Sequence, residues 1–447
     1  MLRNLSSKTI SVAIKTLGCK LNQYESMGIR EELEHSGFRV VSPWEPADVY
    51  IINTCTVTGQ TDRRSRKAVR HVLKINPEAR IIVTGCGAQR DQTMWTDIPH
   101  VSAVIGNIEK NSISLYVNRV VEGNAALVDV SDIKKATFAR LKISRFGSYS
   151  RAFVKIQEGC DRDCSYCVIP SVRGRSRSMD ISGIIDDLRQ LVTQNYQEIV
   201  LTGIDLGTYG KDLKPQSSLV DLLTQIETIE GLARVRLSSI EPMEFTTDLI
   251  KVITGSPRIC RHFHIPLQSG SDIVLKRMNR SYTIADYANI INKIKHLSPD
   301  SCIGADVIVG FPGETDSDFD QAYSFIESLS VDYLHVFPYS DREGTPSSCF
   351  ADKIRPDVIK TRSARLRKLS NVKAENFRTR FIGQTLPVVI IGLNDKKTGL
   401  PQSLSDNYIR VLLKGDIPAK GQLTNVQLKT VNGLECIGYV INHEKKV

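Results

Sequence analysis

Between Phe153 and Phe337 the chain repeats one pattern six times: a short apolar run, then in most cases a helical stretch. Phe153–Gln157, Ile199–Thr202, Arg234–Ser238, His262–Leu267, Ile303–Val309 and Tyr333–Phe337 read as strands. Helical periodicity covers Ile181–Gln194, Ile284–Leu297 and Phe319–Leu329. Strands separated by helices pair in parallel rather than as hairpins, so six repeats predict a partial (β/α)6 barrel. Reactive groups then belong at the C-terminal ends of the strands.

The flanking segments read differently. Residues 8–129 alternate buried strands (Val12–Leu17, Val49–Asn53, Ile81–Thr84) with amphipathic helices (Tyr24–Ser36, Arg63–Ile75), the mark of a doubly wound parallel sheet. Residues 130–150 read as a linker or a pair of short strands. The barrel segment spans 151–380 and ends in a basic helix that Pro356 opens. Residues 381–447 switch to short strands and polar turns, predicting a small antiparallel β-barrel of a kind that often binds oligonucleotides. The class is therefore α/β with an all-β tail. The chain has 59 Lys+Arg against 49 Asp+Glu, and ten against five of these lie from Arg378 onward, so half the net charge of +10 sits there. An anionic partner follows. No apolar window reaches about 18 residues, so no membrane helix is expected. The apolar run Ile10–Ile14 is too short for a signal peptide. A cytoplasmic protein is expected, and its ten cysteines then need a purpose other than disulfides.

Three of them, Cys160, Cys164 and Cys167, stand at a CxxxCxxC spacing just after the first barrel strand. Three thiolates hold a [4Fe–4S] cluster with one iron open, whereas most electron-transfer clusters use four. A zinc site would want a fourth ligand, and no Cys or His follows at finger-like spacing. Three more, Cys19, Cys55 and Cys86, are far apart in sequence, yet each sits at the end of a predicted parallel strand. Ligands bind at that edge of an open α/β sheet. The alternatives are a shared site and three small core residues. Gly18, Gly85 and Gly87 beside them allow close approach of backbone.

The first motif resembles the radical S-adenosylmethionine superfamily. The combination resembles the methylthiotransferases, which join a cysteine domain, a radical barrel and a TRAM domain. The motifs that carry it are Thr16-Leu17-Gly18-Cys19-Lys20-Leu21-Asn22-Gln23, Asn53-Thr54-Cys55-Thr56-Val57, Thr84-Gly85-Cys86-Gly87-Ala88-Gln89, and Glu158-Gly159-Cys160 through Arg173-Gly174. The resemblance implies two [4Fe–4S] clusters: Cys160, Cys164 and Cys167 would hold the radical-generating one, and Cys19, Cys55 and Cys86 the auxiliary one. S-adenosylmethionine would supply both radical and methyl group. Gly203, Gly310 and Gly313, after strands, are candidates for its pocket. The product would carry –SCH3, with its sulfur delivered at the auxiliary cluster. An electron donor such as flavodoxin or ferredoxin and a sulfur donor are implied, and a monomer is expected.

Lys20 and Asp161 resemble the branch acting on N6-threonylcarbamoyladenosine in tRNA, beside the anticodon. The branch acting on N6-isopentenyladenosine more often has Gln and Asn there. A ribosomal-protein target and a two-cluster electron carrier without a reaction of its own are the rivals, as is a zinc-holding RNA-binding protein. The basic helix (Lys360, Arg362, Arg365, Arg367, Lys368, Lys373) offers phosphate contacts for an anticodon stem-loop. Phe377, Phe381 and Tyr408 offer base stacking, with core packing as the alternative. Arg173, Arg175 or Arg177 would pair with the threonylcarbamoyl carboxylate. Relatives often carry Arg where Met179 stands, so Arg177 would have to compensate. Cys260, Cys302, Cys349 and Cys436 read as structural. His262 and His264 share one strand face, as pocket lining or core, with a metal site as the alternative.

Overall fold

The computed structural model describes residues 9–123, 126–141, 143, 146–147 and 149–441. Lys8, at the start of the first predicted segment, and residues 442–447 of the last lie outside them. So do four positions of the linker. The chain divides into two compact units. One takes in the chain up to 145 together with 158–177 and 340–345; the other takes in 146–157, 178–339 and 346–447. The division differs from the sequence expectation. The cysteine loop 158–177 packs with the N-terminal segment, and the C-terminal barrel shares a unit with the strands before it.

The first unit is built on a six-stranded parallel sheet: β1 Ser11–Thr16, β2 Arg39–Val41, β3 Val49–Thr54, β4 Arg80–Gly85, β5 Val101–Ile105 and β6 Leu127–Asp129. Their spatial order is β2-β1-β3-β4-β5-β6. The switch of direction at β1 makes it doubly wound. Strand β3 is buried along its whole length, as a central parallel strand covered on both faces must be. The helices are α1 Lys20–His35, α2 Gly59–Ile75, α3 Cys86–Arg90, α4 Thr93–Thr96, α5 Ile113–Val121 and α6 Ile169–Arg173. One apolar cluster around Ile29, Leu33, Ile51 and Val117 covers one face of the sheet; another around Tyr50, Val69 and Trp95 covers the other. Sequence reading missed β2, β5 and β6. Two of them are three-residue edge strands, too short to show a period. Among the described residues of 130–150 the regular structure is one 3₁₀ turn, Ile133–Lys135, rather than strands.

In the second unit, β7 Ala152–Lys155, β8 Glu198–Thr202 and β9 Arg234–Leu237 form one parallel sheet. β10 His262–His264, β11 Cys302–Val309 and β12 Tyr333–Pro338 form another. A single bridge, Val235 to Ile259, links them. Six strands with α7 Ile181–Thr193, α8 Leu219–Ile226, α9 Thr247–Gly255, α10 Asp272–Arg277, α11 Ile284–Leu297, α12 Asp316–Ser328 and α13 Pro356–Thr379 make the expected partial barrel. β10 stops three residues short of its predicted end, because Pro266 has no N–H for the ladder.

Residues β13 Thr385–Asn394, β14 Pro401–Ser405, β15 Arg410–Lys414, β16 Leu423–Asn432 and β17 Glu435–Val440 close into a barrel of five strands. The expected antiparallel pairing holds except where β15 meets β17 in parallel. Phe377 and Phe381 are buried in its core with Cys302 and Cys436, and Tyr408 packs on that core. Tyr408 also stacks on His262 with centroids 4.0 Å apart. These aromatics serve packing, the core reading rather than base stacking. On α13, Arg362 is buried against Glu314 and Asp316, Arg365 pairs with Asp320, and Lys373 donates to the carbonyls of Glu327 and Leu329. Lys360, Arg367 and Lys368 remain on its exposed face. The basic stripe is therefore narrower than the sequence suggested.

One buried carboxylate anchors this unit. Glu198, fully buried at the start of β8, accepts from Arg234 Nε at 2.7 Å, Arg236 Nε at 3.0 Å and Arg151 Nη1 at 3.2 Å. Arg234 donates onward to the carbonyls of Pro387 and Leu404, and Arg236 to those of Ser405 and Asp406. Burial pushes the Glu198 carboxyl up, but the arginines outweigh it and hold it far below the carboxylate range. A depressed pKa contributes stability at every pH above the unfolded value of about 4.3 and loses it only as pH falls below that. Glu198→Gln leaves two buried guanidinium groups without their counter-charge, an expected cost of about 3–5 kcal/mol. Urea unfolding at pH 7 should show that gap, and the gap should shrink as pH drops below about 4.

Candidate functional site

β1, β3 and β4 are neighbours in the first sheet, so their C-terminal ends lie side by side. Cys19 directly precedes α1, Cys55 directly follows β3, and Cys86 opens α3 directly after β4. Topology alone thus gathers three cysteines that the sequence separates by 36 and 31 positions.

Hydrogen bonds lock the three loops to one another. Asn22 Nδ2 donates to Leu17 O at 2.7 Å and to Thr54 O at 2.9 Å, tying the Cys19 loop to the Cys55 loop. Thr54 Oγ1 donates to Thr84 O at 2.5 Å and accepts from Gly87 N at 3.0 Å, tying the Cys55 loop to the Cys86 loop. Gly18, at φ +104°, lies so close to Cys55 that an added Cβ would come within 2.6 Å of the Cys55 Cβ. Only glycine fits there. Arg342, from the 340–345 stretch, donates to Thr56 Oγ1 at 2.7 Å and Asp62 Oδ2 at 2.6 Å, and so fixes the residue after Cys55.

Cys55 and Cys86 are buried, while Cys19 is exposed at the start of α1. Burial pushes the Cys55 thiol up to about 11, and the nearby Cys86 adds to the rise. A thiol in that state is a poor nucleophile. Metal coordination deprotonates it outright, so the donor set suits a metal cluster rather than covalent catalysis.

The second triad lies in the same unit. Gly159, at φ +74°, holds the loop tight: an added Cβ would overlap the Arg175 carbonyl at 1.9 Å. Cys160 N donates to Gly174 O at 3.0 Å and Cys167 N to Cys164 O at 3.1 Å. Backbone N–H groups of Arg162 and Ile169 reach the sulfurs of Cys160 and Cys167, each at 3.4 Å. All three cysteines are half-buried. Amide donors aimed at sulfur suit a thiolate-bound, anionic cluster.

Arg173, at the end of α6, ties the Cys86 loop and α1 to Glu158, two residues before Cys160. Its side chain is fully buried. Nε donates to Cys86 Sγ at 3.1 Å, Nη1 pairs with Glu25 and with Glu158 at 2.8 Å, and Nη2 donates to Asn22 Oδ1 at 2.8 Å. Lys110 Nζ sits 2.6 Å from Glu25 Oε2. Burial pushes the Glu25 carboxyl up, but Arg173 and Lys110 outweigh it and hold it below the usual range.

This geometry corrects the reading of Arg173 as a carboxylate-binding residue, because its donors are already committed. Arg177 is buried as well and donates to the carbonyls of Arg175 and Arg173. It cannot replace an outward Arg at position 179, and Met179 itself is buried. Arg175 is the exposed one of the three, with Asp161 3.5 Å away. In the second unit, Gly203 follows β8 beside Gln157, whose Oε1 accepts from the N–H groups of Ile204 and Asp205 at 2.9 Å each. Gly310 and Gly313, at φ +77° and +81°, sit where a Cβ would strike Ile359 and Arg277. Both are required by the turn itself. Cys260, Cys302 and Cys436 are buried and Cys349 is exposed.

Sequence reading missed Asn22, Glu25, Thr54, Lys110 and Arg342. The available signal was an acid at position 25, three residues after Asn22 and four before Ile29 on the buried face of α1. Among the described residues no helix is long and apolar enough to cross a membrane.

The sequence matches two families: residues 11–106 match the one described as "Uncharacterized protein family UPF0004", and residues 154–326 match the radical SAM superfamily. The chain is 39% identical over 422 residues to the threonylcarbamoyladenosine tRNA methylthiotransferase MtaB of Bacillus subtilis, covering 94% of this chain and 93% of that one. It is 36% identical to the protein of the same name from Aquifex aeolicus, over 91% and 97%. A tRNA-2-methylthio-N(6)-dimethylallyladenosine synthase of Clostridium botulinum is 33% identical over 95% and 96%. Among solved structures, the radical S-adenosylmethionine methyltransferase TsrM from Kitasatospora setae, with cobalamin and a [4Fe-4S] cluster bound, superposes with a TM-score of 0.54. It does so at 12% identity, over 76% of this chain and 77% of that one, a likeness of fold.

Proposed function

The chain belongs to the radical S-adenosylmethionine methylthiotransferases, and on that premise we propose that it converts N6-threonylcarbamoyladenosine in tRNA to its 2-methylthio derivative. The observation that carries this reading is the pair of cysteine triads within one unit, with Arg173 running from Cys86 of one to Glu158, two residues before the other. An enzyme that only generates a radical needs one such site. An enzyme that also inserts sulfur needs a second place to hold it.

Cys160, Cys164 and Cys167 would hold a [4Fe–4S] cluster whose open iron binds S-adenosylmethionine, and Cys19, Cys55 and Cys86 a second one. Bound together, cluster and S-adenosylmethionine supply one-electron cleavage of the sulfonium and, from a second molecule, the methyl group. The protein's own part is positional. The amides of Arg162 and Ile169 steady the sulfurs of the first triad. Asn22, Thr54 and Arg173 fix the loops of the second. Gly203, Gly310 and Gly313 would border the S-adenosylmethionine pocket. Arg175 and the exposed Lys360, Arg367 and Lys368 would meet phosphates of the anticodon stem-loop. A flavodoxin or ferredoxin would deliver the electron, and a separate donor the sulfur.

Anaerobically reconstituted protein, given S-adenosylmethionine, dithionite and tRNA bearing N6-threonylcarbamoyladenosine, should release 5′-deoxyadenosine and yield the 2-methylthio nucleoside by mass spectrometry. 5′-Deoxyadenosine without that product, or product only on dimethylallyl-modified tRNA, would overturn the assignment.

A further inference from the structure

Three side chains on adjacent strands of the second unit converge, and nothing above uses them. His264 on β10, Asp306 on β11 and His335 on β12 lie on strands paired in register, with Asp306 opposite His335 and His264 opposite Gly304. Asp306 Oδ1 is 3.1 Å from His264 Nε2 and 3.1 Å from His335 Nδ1. The Ser239 hydroxyl meets His264 Nδ1 at 2.5 Å and orients that ring. Burial pushes the Asp306 carboxyl up, but the two imidazoles outweigh it, so it stands as an anionic acceptor.

The set is open to solvent on one side. Among the described residues β12 pairs only with β11 and forms the edge of its sheet. The side chain of His335 is 49% exposed, against 12% for His264. Two residues further along the same face stands Phe337, 43% exposed, its ring centroid 6.3 Å from that of His335. A bare aromatic beside a half-buried, convergent polar set is how proteins seat an unstacked base with a polar appendage.

We propose that Phe337 stacks on the substrate base while His264, Asp306 and His335 receive its polar N6 substituent. The inference rests on the function proposed above and names the pocket for it. A threonylcarbamoyl group brings N–H donors, a hydroxyl and a carboxylate. Asp306 accepts from the donors. The outer nitrogen of His335 donates to the carboxylate, a task that the buried Arg173 and Arg177 cannot perform. A dimethylallyl group has no polar atoms and would offer nothing to the second oxygen of Asp306 or to the outer nitrogen of His335, a ground for rejection. The same three groups also have the composition of a two-histidine, one-carboxylate metal site, the competing outcome.

The test is equilibrium binding of anticodon stem-loops to the holoenzyme. The loops carry N6-threonylcarbamoyladenosine, its dimethylallyl counterpart or plain adenosine. Wild type should bind the first at least about tenfold more tightly than the other two, the worth of about 1.4 kcal/mol in polar contacts. His335→Ala and Asp306→Asn should each abolish that ratio while leaving affinity for the plain loop unchanged. Phe337→Leu should weaken all three loops alike. An unchanged ratio in both polar variants overturns the pocket. So does a stoichiometric zinc that is lost in those variants while the ratio stays. Turnover without any binding preference in wild type sinks the pocket alone. Absence of the 2-methylthio product sinks the underlying function and the pocket with it.

Discussion

Replacing Cys19, Cys55 and Cys86 together by alanine is expected to abolish the 2-methylthio product while 5′-deoxyadenosine is still released. Iron should fall from about eight to about four per chain, the content of one cluster. The dissociation of the two readouts follows from the separate construction of the two triads. The first is a single loop, closed by Gly159 and by amides of its own backbone. The second is assembled from three strand ends, and none of the loop's backbone bonds depends on it. A variant that loses both readouts in parallel would mean that the strand-end cysteines support the radical site rather than a sulfur-delivery site. Single replacements should rank by burial. Cys55 and Cys86 are enclosed and Cys19 is exposed, so loss of Cys19 should disturb the surrounding packing least.

Arg173→Met is expected to be the most damaging single substitution in the first unit. It removes a guanidinium that touches Glu25, Glu158, Asn22 and Cys86, and leaves Glu25 to Lys110 and Glu158 to Arg177, 3.9 Å away. Breaking a buried ion pair from one side costs about 3–5 kcal/mol. For a unit of this size that corresponds to a fall in Tm of roughly 10 °C. Arg173→Lys keeps the charge but cannot reach four partners from one planar fork, so it should recover only part of the loss. Scanning calorimetry and iron analysis on the same samples separate the effects. Lowered Tm with full iron would assign Arg173 to the fold alone. Unchanged Tm with lost iron would assign it to the cluster alone. Both are expected to move.

The cysteines were readable from sequence because their chemistry is local in one triad and topological in the other. CxxxCxxC is visible as spacing. Cys19, Cys55 and Cys86 became visible once each was placed at a strand end, and the parallel sheet then did the gathering. The arginines were read less well. Arg173, Arg175 and Arg177 look alike in a Gly-flanked basic run, yet two are buried and one is exposed. Their partners, Glu25 and Glu158, lie 148 and 15 positions from Arg173, and no pattern in sequence pairs them. The basic helix α13 misled for a similar reason. A charge run reads as a solvated face, but three of its cations face α12 or the end of that helix. The aromatics near the C-terminus had two readings, and apolar burial in a small closed barrel, which must fill its interior, decided for the core.

The clamp on Glu198 has one more consequence. Arg234 and Arg236 hold the five-stranded barrel through carbonyl oxygens of Pro387, Leu404, Ser405 and Asp406, and Arg236 also lies over the Tyr408 ring. Every residue type carries a carbonyl, so at these four points the grip is indifferent to sequence and demanding of backbone path. Tails exchanged between relatives should therefore graft onto this core even at low identity, provided the backbone at 387 in β13 and at 404–406, the end of β14 and its turn, keeps its path. A one-residue insertion at either place should do more harm than wholesale replacement of the barrel's surface.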